Sequence, residues 1–408
     1  MAKPCPVGVD PSVGCALMGP DSINIVVHYD EIGLKGRNRP RFEHRLMKNI
    51  RRALDGLGPV DTERLYGRLL VRLKEEWPWD LVAERIRRVF GISYFARAFE
   101  SSCDLSVLKK ELRDRLPSGG YESFAIDTKR SDKDFPLTSP EINRDLGAFV
   151  QAETGKRVDL NDPDLRICVE WLHDRSLFFF ERVSGPGGLP VGVSGKVVGL
   201  ISGGIDSPVA IYQMMKRGCG VTFVHFHSFP FTNRASQRKV MELVRELSHF
   251  RQTAKTYFVP FAELQREVAT STPASYRIIL YRRFMLRLAE AIARRERVKA
   301  VVTGDSLSQV SSQTLSNLIT IENAVKISVI RPLIGLDKKE IINLAQRINT
   351  YSISIQPHDD CCGFLMPRQP FTRSTPQELK DVERNLDIGG LVDRALGQAE
   401  CQVLSSDL

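Results

Sequence analysis

The chain has 408 residues, of which 42% are hydrophobic and 26% charged; this describes two or three globular domains and excludes a disordered polypeptide. No apolar run reaches the roughly 18 residues needed to cross a bilayer, and Met1 to Pro20 lack the apolar core of a secretory signal, so a cytoplasmic protein is expected. The net charge of +9 favours a polyanionic partner.

Residues 1–21, rich in Pro and Gly without periodicity, read as a flexible extension. Ile23 to Tyr29 is an apolar strand, followed by a turn at Gly33 to Gly36 and a helix from Arg39 to Gly56 with Phe42, Leu46, Ile50 and Leu54 on one face. Lys35 to Arg52 holds eight basic residues and one acid, Glu43. Such a run is either a solvated helix face or a set of phosphate-backbone contacts. The alternating segment Arg64 to Val71 closes a small α+β unit over residues 22–76.

A second α+β unit spans 77–183. Trp79–Phe90 and Leu105–Leu116 read as helices, Ile92–Phe99, Ser123–Lys129 and Leu165–Leu172 as strands, and Ser139-Pro140-Glu141 as a helix start with Ser139 as the cap. Residues 184–195, opening on Gly185-Pro186-Gly187-Gly188, form a linker. Over 196–395 the rhythm becomes strand–helix–strand: Val197–Ile201, Val221–Phe226, Thr256–Phe261 and Val298–Thr303 alternate with helices at 207–217, 233–250 and 275–297. Continuous apolar strands in βα units imply a parallel sheet with helices on both faces. Residues 396–408 read as a tail. Residues 191–408 carry 28 Lys and Arg against 20 Asp and Glu, so the positive surplus lies here.

The most specific signal is Leu200-Ile201-Ser202-Gly203-Gly204-Ile205-Asp206-Ser207-Pro208, placed between the first parallel strand and its helix. Two glycines allow a tight turn that presents N–H groups to an anion, hydroxyls at Ser202 and Ser207 add donors, and the helix start adds positive dipole. Neither the Walker A pattern nor G-x-G-x-x-G is present. Ser-Gly-Gly-x-Asp-Ser resembles the PP-loop of ATP pyrophosphatases, which adenylate a substrate oxygen and release pyrophosphate. In a loop shaped for polyphosphate, the Asp206 carboxylate suits Mg²⁺ or action on the leaving group.

Over nearly its whole length the chain resembles the tRNA 4-thiouridine synthetases, the tRNA sulfurtransferases of the thiamine and thiouridine family. Tyr29 to Arg39 is similar to that family's ferredoxin-like domain, and Lys129 to Asn143 to its RNA-binding THUMP domain. Gly188 to Gly192, Val224 to Ser228, Val302 to Ser306, Ser312 to Leu315 and Arg331-Pro332-Leu333 extend the match in order. The resemblance implies ATP against Leu200, Ile201, Ser202, Gly203, Gly204, Asp206, Ser207, His225, Phe226, Arg282, Gly304 and Gln313. Arg283, beside Arg282, offers the same charge, and Lys338, expected near the adenylation site, has Lys339 as neighbour. RNA phosphates are expected on Lys35, Arg37, Arg39, Arg41, Lys129, Arg130 and Lys133.

The eight cysteines include no C-x-x-C pair, so no iron–sulfur cluster is expected. His358-Asp359-Asp360-Cys361-Cys362-Gly363 resembles the family's thiol segment, with Cys362 as the sulfur carrier and Cys361 read as a packing residue. The flanking acids should raise the thiol pKa, so activation needs a nearby cation or helix terminus. Longer members carry a rhodanese domain; 46 residues follow Cys362 here, too few for one. The expectation is therefore a short form that takes persulfide directly from a cysteine desulfurase, with the thiamine role that accompanies the rhodanese domain left unsupported. A homodimer is also implied. The expected reaction, with Asp206, Cys362 and Lys338 catalytic, is MgATP-dependent conversion of a tRNA uridine, position 8 by resemblance, to 4-thiouridine. The alternatives are a PP-loop ligase or amidotransferase acting on a small molecule, and an RNA-binding protein with an inactive nucleotide fold.

Overall fold

The computed structural model describes residues 22–250, 253–357 and 370–405. The extension at 1–21 and the segment bearing Cys361 and Cys362 lie outside them. Two compact units emerge, one of residues 22–28, 54–84 and 95–183, the other of 29–53, 85–94 and 184–405.

The first unit is built on a nine-stranded sheet. Its strands are β1 (Ile23–His28), β2 (Val60–Leu65), β3 (Arg68–Leu73), β4 (Tyr94–Ser101), β5 (Ser123–Arg130), β6 (Arg157–Val158), β7 (Leu165–Trp171), β8 (Ser176–Phe179) and β9 (Val183–Ser184). They run in the order β2-β3-β1-β4-β8-β7-β5-β6, with β9 on β4. The sheet is thus continuous across the two α+β units read from the sequence. Helices α3 (Leu105–Arg113) and α4 (Ser139–Thr154) bury Leu108, Leu112, Ile142, Leu146 and Val150 against Phe124, Ile126, Ile167 and Trp171. The start of α4 differs from the expected one: Thr138 is the N-cap, and the Glu141 carboxylate accepts from both its N–H and its hydroxyl at 2.7 Å. Helix α2 is also shorter than expected, Trp79–Ile86. Gly91, at φ +101, takes a backbone conformation neither helix nor strand allows, and β4 begins only at Tyr94.

In the second unit, α1 (Arg39–Ala53) follows a 3₁₀ segment at Glu31–Asn38 where a simple turn was expected. Six strands follow the linker: β10 (Lys196–Leu200), β11 (Gly220–His227), β12 (Thr253–Pro260), β13 (Ala300–Val302), β14 (Ser328–Ile330) and β15 (Glu400–Ser405). Their order is β14-β13-β10-β11-β12-β15, parallel except for β15. The expected tail is therefore an edge strand: it pairs with β12, whose backbone groups would otherwise lack partners, and sets Cys401 opposite Tyr257. Helices α5 (Asp206–Lys216), α6 (Ala235–Ser248), α7 (Ala262–Ser271), α8 (Arg277–Arg295), α9 (Leu315–Glu322), α10 (Lys338–Arg347), α11 (Tyr351–Ser354), α12 (Pro376–Glu383) and α13 (Ile388–Gly397) complete the unit.

Alternate strand residues feed two cores. Val198, Val224, Phe226 and Val259 pack with α7, α8 and α13, while Val197, Val221, Phe223 and Phe258 pack with α5, α6 and α10. Burial on both faces explains why these strands read as unbroken apolar runs. Strand order reverses between β10 and β13, which opens a crevice at their C-terminal ends, where such sheets bind ligands.

Candidate active site

That crevice is a cavity of about 390 Å³. Every residue expected to contact nucleotide lines it except Gly203, which is buried within the loop. The loop after β10 is braced from inside: Ser207 Oγ accepts from Ser202 N–H at 2.9 Å, the two hydroxyls lie 3.2 Å apart, and Gly204 N–H donates to Ser202 Oγ at 3.3 Å. His225, fully enclosed at the end of β11, places Nδ1 3.0 Å from Ile201 O, so its visible role is to hold the loop's first residue. Helix α5 opens on Asp206 with no side-chain cap, which leaves its first N–H groups and their positive dipole for a ligand.

Gly304 follows β13 and meets the same loop. A Cβ there would lie 2.8 Å from Ser207 N and 3.0 Å from the Asp206 carbonyl carbon. Only hydrogen in place of a side chain lets these two backbones approach so closely.

Beneath the cavity sits Asp305, 6% exposed. Its carboxylate accepts from Arg282 at 2.5 Å, Thr303 Oγ1 at 2.7 Å and Gln313 Nε2 at 3.2 Å, and pairs with Arg331 at 3.5 Å. Burial alone would raise its pKa, but the charge and hydrogen bond of Arg282, then Thr303 and Arg331, hold it at about 2. Asp305 thus fixes Arg282 and Gln313 together. The ambiguity between adjacent arginines also resolves. Arg283 is buried on the far side of α8, bonded to Glu383 at 2.7 and 2.8 Å and to Thr320 O, whereas Arg282 faces the cavity.

Asp206 Oδ1 accepts from Lys338 Nζ at 2.6 Å, and its Oδ2 from Gln309 Nε2 at 3.3 Å. Lys338 stands at the first position of α10, whose cap is Asp337. Among the described residues no group of three or more His, Cys, Asp or Glu could hold a metal alone. Mg²⁺ needs no such cage, because one carboxylate plus substrate phosphates suffices, and Asp206, beside the uncapped start of α5, offers that carboxylate. Sequence reasoning assigned no role to Asp305, Gln309 or Arg331.

Residues 192–388 match the thiamine biosynthesis protein (ThiI) family, 24–96 the ThiI ferredoxin-like domain and 106–180 the THUMP domain. A probable tRNA sulfurtransferase of Thermus thermophilus is 46% identical over 93% of both chains, and one from Moorella thermoacetica 42% identical over 92% of this chain and 96% of its own. The chain belongs to the tRNA sulfurtransferase family. The crystal structure of a 4-thiouridine synthetase–RNA complex with bound ATP superposes with a TM-score of 0.85 at 38% identity, covering 94% of this chain and all of that one.

The residues expected on RNA divide in two. Arg37, Arg41, Lys129 and Lys133 are exposed. Arg39 instead bonds Glu43 at 2.9 Å and Tyr29 at 2.9 and 3.1 Å, and Arg130 donates to the carbonyls of Phe135 and Leu137. Lys35 lies 3.3 Å from Glu31. At the N-terminal ends of β10 and β11, a second cavity of about 380 Å³ is lined by Arg45, Arg52, Arg85, Arg88 and Lys196. Among the described residues no helix is long and apolar enough to cross a membrane.

Proposed function

We propose that the chain uses ATP to activate O4 of a tRNA uridine as its adenylate and replaces that oxygen with sulfur to give 4-thiouridine. ATP-dependent sulfur transfer to tRNA is the activity of the family. What is specific here is the assignment of residues, carried chiefly by one observation: the phosphate loop, Gly304 and the Asp305-centred set of Arg282 and Gln313 all converge on one crevice.

Phosphates of ATP lie along Ser202 to Ser207 and the start of α5, with Arg282 and Gln313 at the far wall. Asp206 would hold Mg²⁺ together with those phosphates, and the ion would offset charge on the departing pyrophosphate. Lys338 keeps the Asp206 carboxylate oriented and supplies positive charge at the same place. The uridine O4 forms a bond to the α-phosphorus, pyrophosphate leaves, and the N3 proton goes to solvent. Position 8 is the expected uridine.

Cys362 lies outside the described residues. As a persulfide its terminal sulfur would attack C4, AMP would leave, and Cys362 would be joined to the nucleoside by a disulfide. A second thiol then attacks the Cys362 sulfur, releases 4-thiouridine and leaves an oxidised cysteine pair for a thiol reductant. Balance thus requires two electrons from thiols per sulfur delivered. The persulfide comes from a cysteine desulfurase, no iron–sulfur cluster takes part, and the protein works in the cytoplasm as a homodimer. Exposed Arg37, Arg41, Lys129 and Lys133, with the cationic second cavity, would contact tRNA phosphates.

The test is thiolation of an unmodified tRNA transcript with MgATP and either sulfide or a desulfurase with cysteine. Asp206→Ala should fail with both sulfur sources. Cys362→Ser should fail with the desulfurase and work with sulfide, which bypasses the persulfide. Wild type that releases pyrophosphate yet forms no 4-thiouridine would move the chemistry to a small-molecule ligase.

A further inference from the structure

The second cavity, of about 380 Å³, lies at the other ends of the parallel strands from the nucleotide crevice. Lys196 and Gly220, the first residues of β10 and β11, line it, whereas the phosphate loop follows the last residue of β10. That strand has five residues, so roughly 16 Å separates the two places at about 3.3 Å per residue. The other walls come from α1, residues 85–90, the linker and Phe250 after α6, all within the second unit.

Arg45, Asn49 and Arg52 stand at i, i+4 and i+7 on one face of α1. Asn49 Nδ2 donates to Val191 O of the linker at 3.2 Å. The Arg45 guanidinium lies against Gly192, where a Cβ would stand 3.1 Å from its Nη1 and 3.2 Å from its Cζ. Gly192 has φ +97, a backbone conformation suited to glycine. Arg85, Arg88 and Lys196 add three more permanent charges, and among the described residues no Asp or Glu lines the cavity. Like charges gathered on one wall repel, and an anion bound among them offsets that cost. The lining also includes Phe250, whose ring stacks on Phe90 with centroids 5.2 Å apart and meets Tyr212 edge-on at 5.1 Å. A fixed aromatic ring beside guanidinium groups matches the two halves of a nucleotide, base and phosphate.

The volume is near the lower end of the range for small-ligand pockets, about 300–1,000 Å³, so one nucleotide fits and a length of duplex does not. A backbone diester carries a single negative charge, whereas a phosphate monoester carries about 1.5 to 2 at neutral pH and can enter as a chain end. We propose that this cavity is a second nucleotide site that binds a 5′-phosphate monoester, with Arg45 and Lys196 on the phosphate. The monoester is either the 5′ end of the tRNA, in which case the site rests on the tRNA reading above, or a free nucleoside monophosphate.

The experiment uses two tRNA transcripts, identical except for a 5′-monophosphate or a 5′-hydroxyl, and GMP as the free nucleotide. Contacts to a charged phosphate are worth about tenfold in affinity, so wild type should bind the phosphorylated transcript that much more tightly or, if the ligand is free, bind GMP. Arg45→Gln and Lys196→Met should remove the difference between the transcripts, or the GMP signal. The difference is the readout, because loss of general electrostatic attraction or of fold weakens both transcripts alike. Lys196 is exposed at a strand end, so its variant should fold normally. For GMP, a signal lost in Lys196→Met and kept in Arg282→Met belongs to this cavity, and the reverse pattern assigns it to the catalytic crevice and counts against the proposal. Discrimination between the transcripts identifies the RNA end as the ligand; GMP binding without discrimination identifies the free nucleotide. Neither discrimination nor GMP binding would overturn the proposal, as would either signal surviving both substitutions. If neither transcript binds, the tRNA reading fails separately and the GMP titration alone decides the site.

Discussion

Lys338 Nζ and Asp206 Oδ1, 132 residues apart in sequence, meet at 2.6 Å where two helices begin. A carboxylate in a phosphate-binding loop repels its ligand unless a cation accompanies it, and Lys338 provides one. Both side chains are partly exposed, so the pair contributes under about 1 kcal/mol to stability. Asp206→Asn and Lys338→Met should keep the wild-type melting temperature within a few degrees. Removing one electrostatic group aimed at developing charge costs about 100-fold or more, and both variants should lose that much in pyrophosphate release. Activity retained in either would remove it from the catalytic set.

Asp305 should behave in the opposite way, because it is enclosed. Its pKa is lowered, so its contribution to stability is complete above the unfolded carboxyl value near 4 and disappears as pH falls towards about 2. A shift of this size corresponds to about 2 kcal/mol. Asp305→Asn should lose that acid-limb dependence in denaturation curves measured between pH 5 and 2. The same variant releases Arg282 and Gln313, so KM for ATP should rise. An unchanged acid limb would mean that the carboxylate is not held by these partners.

Gly304→Ala tests the close approach of two backbones. The added methyl would stand 2.8 Å from Ser207 N and 2.9 Å from its Cα, neither of which can swing aside as a side-chain tip could. The strand β13 and the loop must separate by several tenths of an ångström. Nucleotide affinity, read by calorimetry with a non-hydrolysable ATP analogue, should fall by tenfold or more, at about 1.4 kcal/mol per decade.

Much of this was legible in the sequence, and the reasons for the failures are physical. The parallel sheet followed from unbroken apolar runs, and the loop from two glycines and two hydroxyls between strand and helix. The cap of α4 was misplaced because it depends on local backbone geometry at Thr138. Strand β15 was missed since an edge strand needs only one partner and its side chains remain exposed, as Gln402 and Val403 do. Asp305 was passed over because its worth lies in four partners scattered from Arg282 to Arg331, which no sequence window contains.

Charge alone does not separate the exposed from the paired residues among those expected on RNA. Arg41→Ala and Lys129→Ala remove exposed charges and should each reduce the salt slope of tRNA binding by about one unit while leaving the fold intact. Arg39→Ala should instead lower the melting temperature, because it removes a guanidinium bonded to Glu43, a carboxylate only 2% exposed. Fluorescence anisotropy at several salt concentrations, beside thermal denaturation, separates the two classes.

Adjacent Arg282 and Arg283 give the sharpest contrast. They project in different directions from α8, since neighbouring helical residues lie about 100° apart. Arg283 spends its guanidinium on Glu383 and on Thr320 O, all within the core, and burial raises the Glu383 pKa while the hydrogen bonds and charges of Arg283 and Arg287 bring it below the usual carboxylate range. Arg283→Met leaves that buried carboxylate short of a partner, a change that typically costs about 3–5 kcal/mol. It should unfold several degrees early, with the destabilisation easing as pH falls and Glu383 becomes protonated. Arg282→Met should fold normally and bind ATP weakly. If Arg283→Met were stable and defective in ATP binding instead, the two assignments would be reversed.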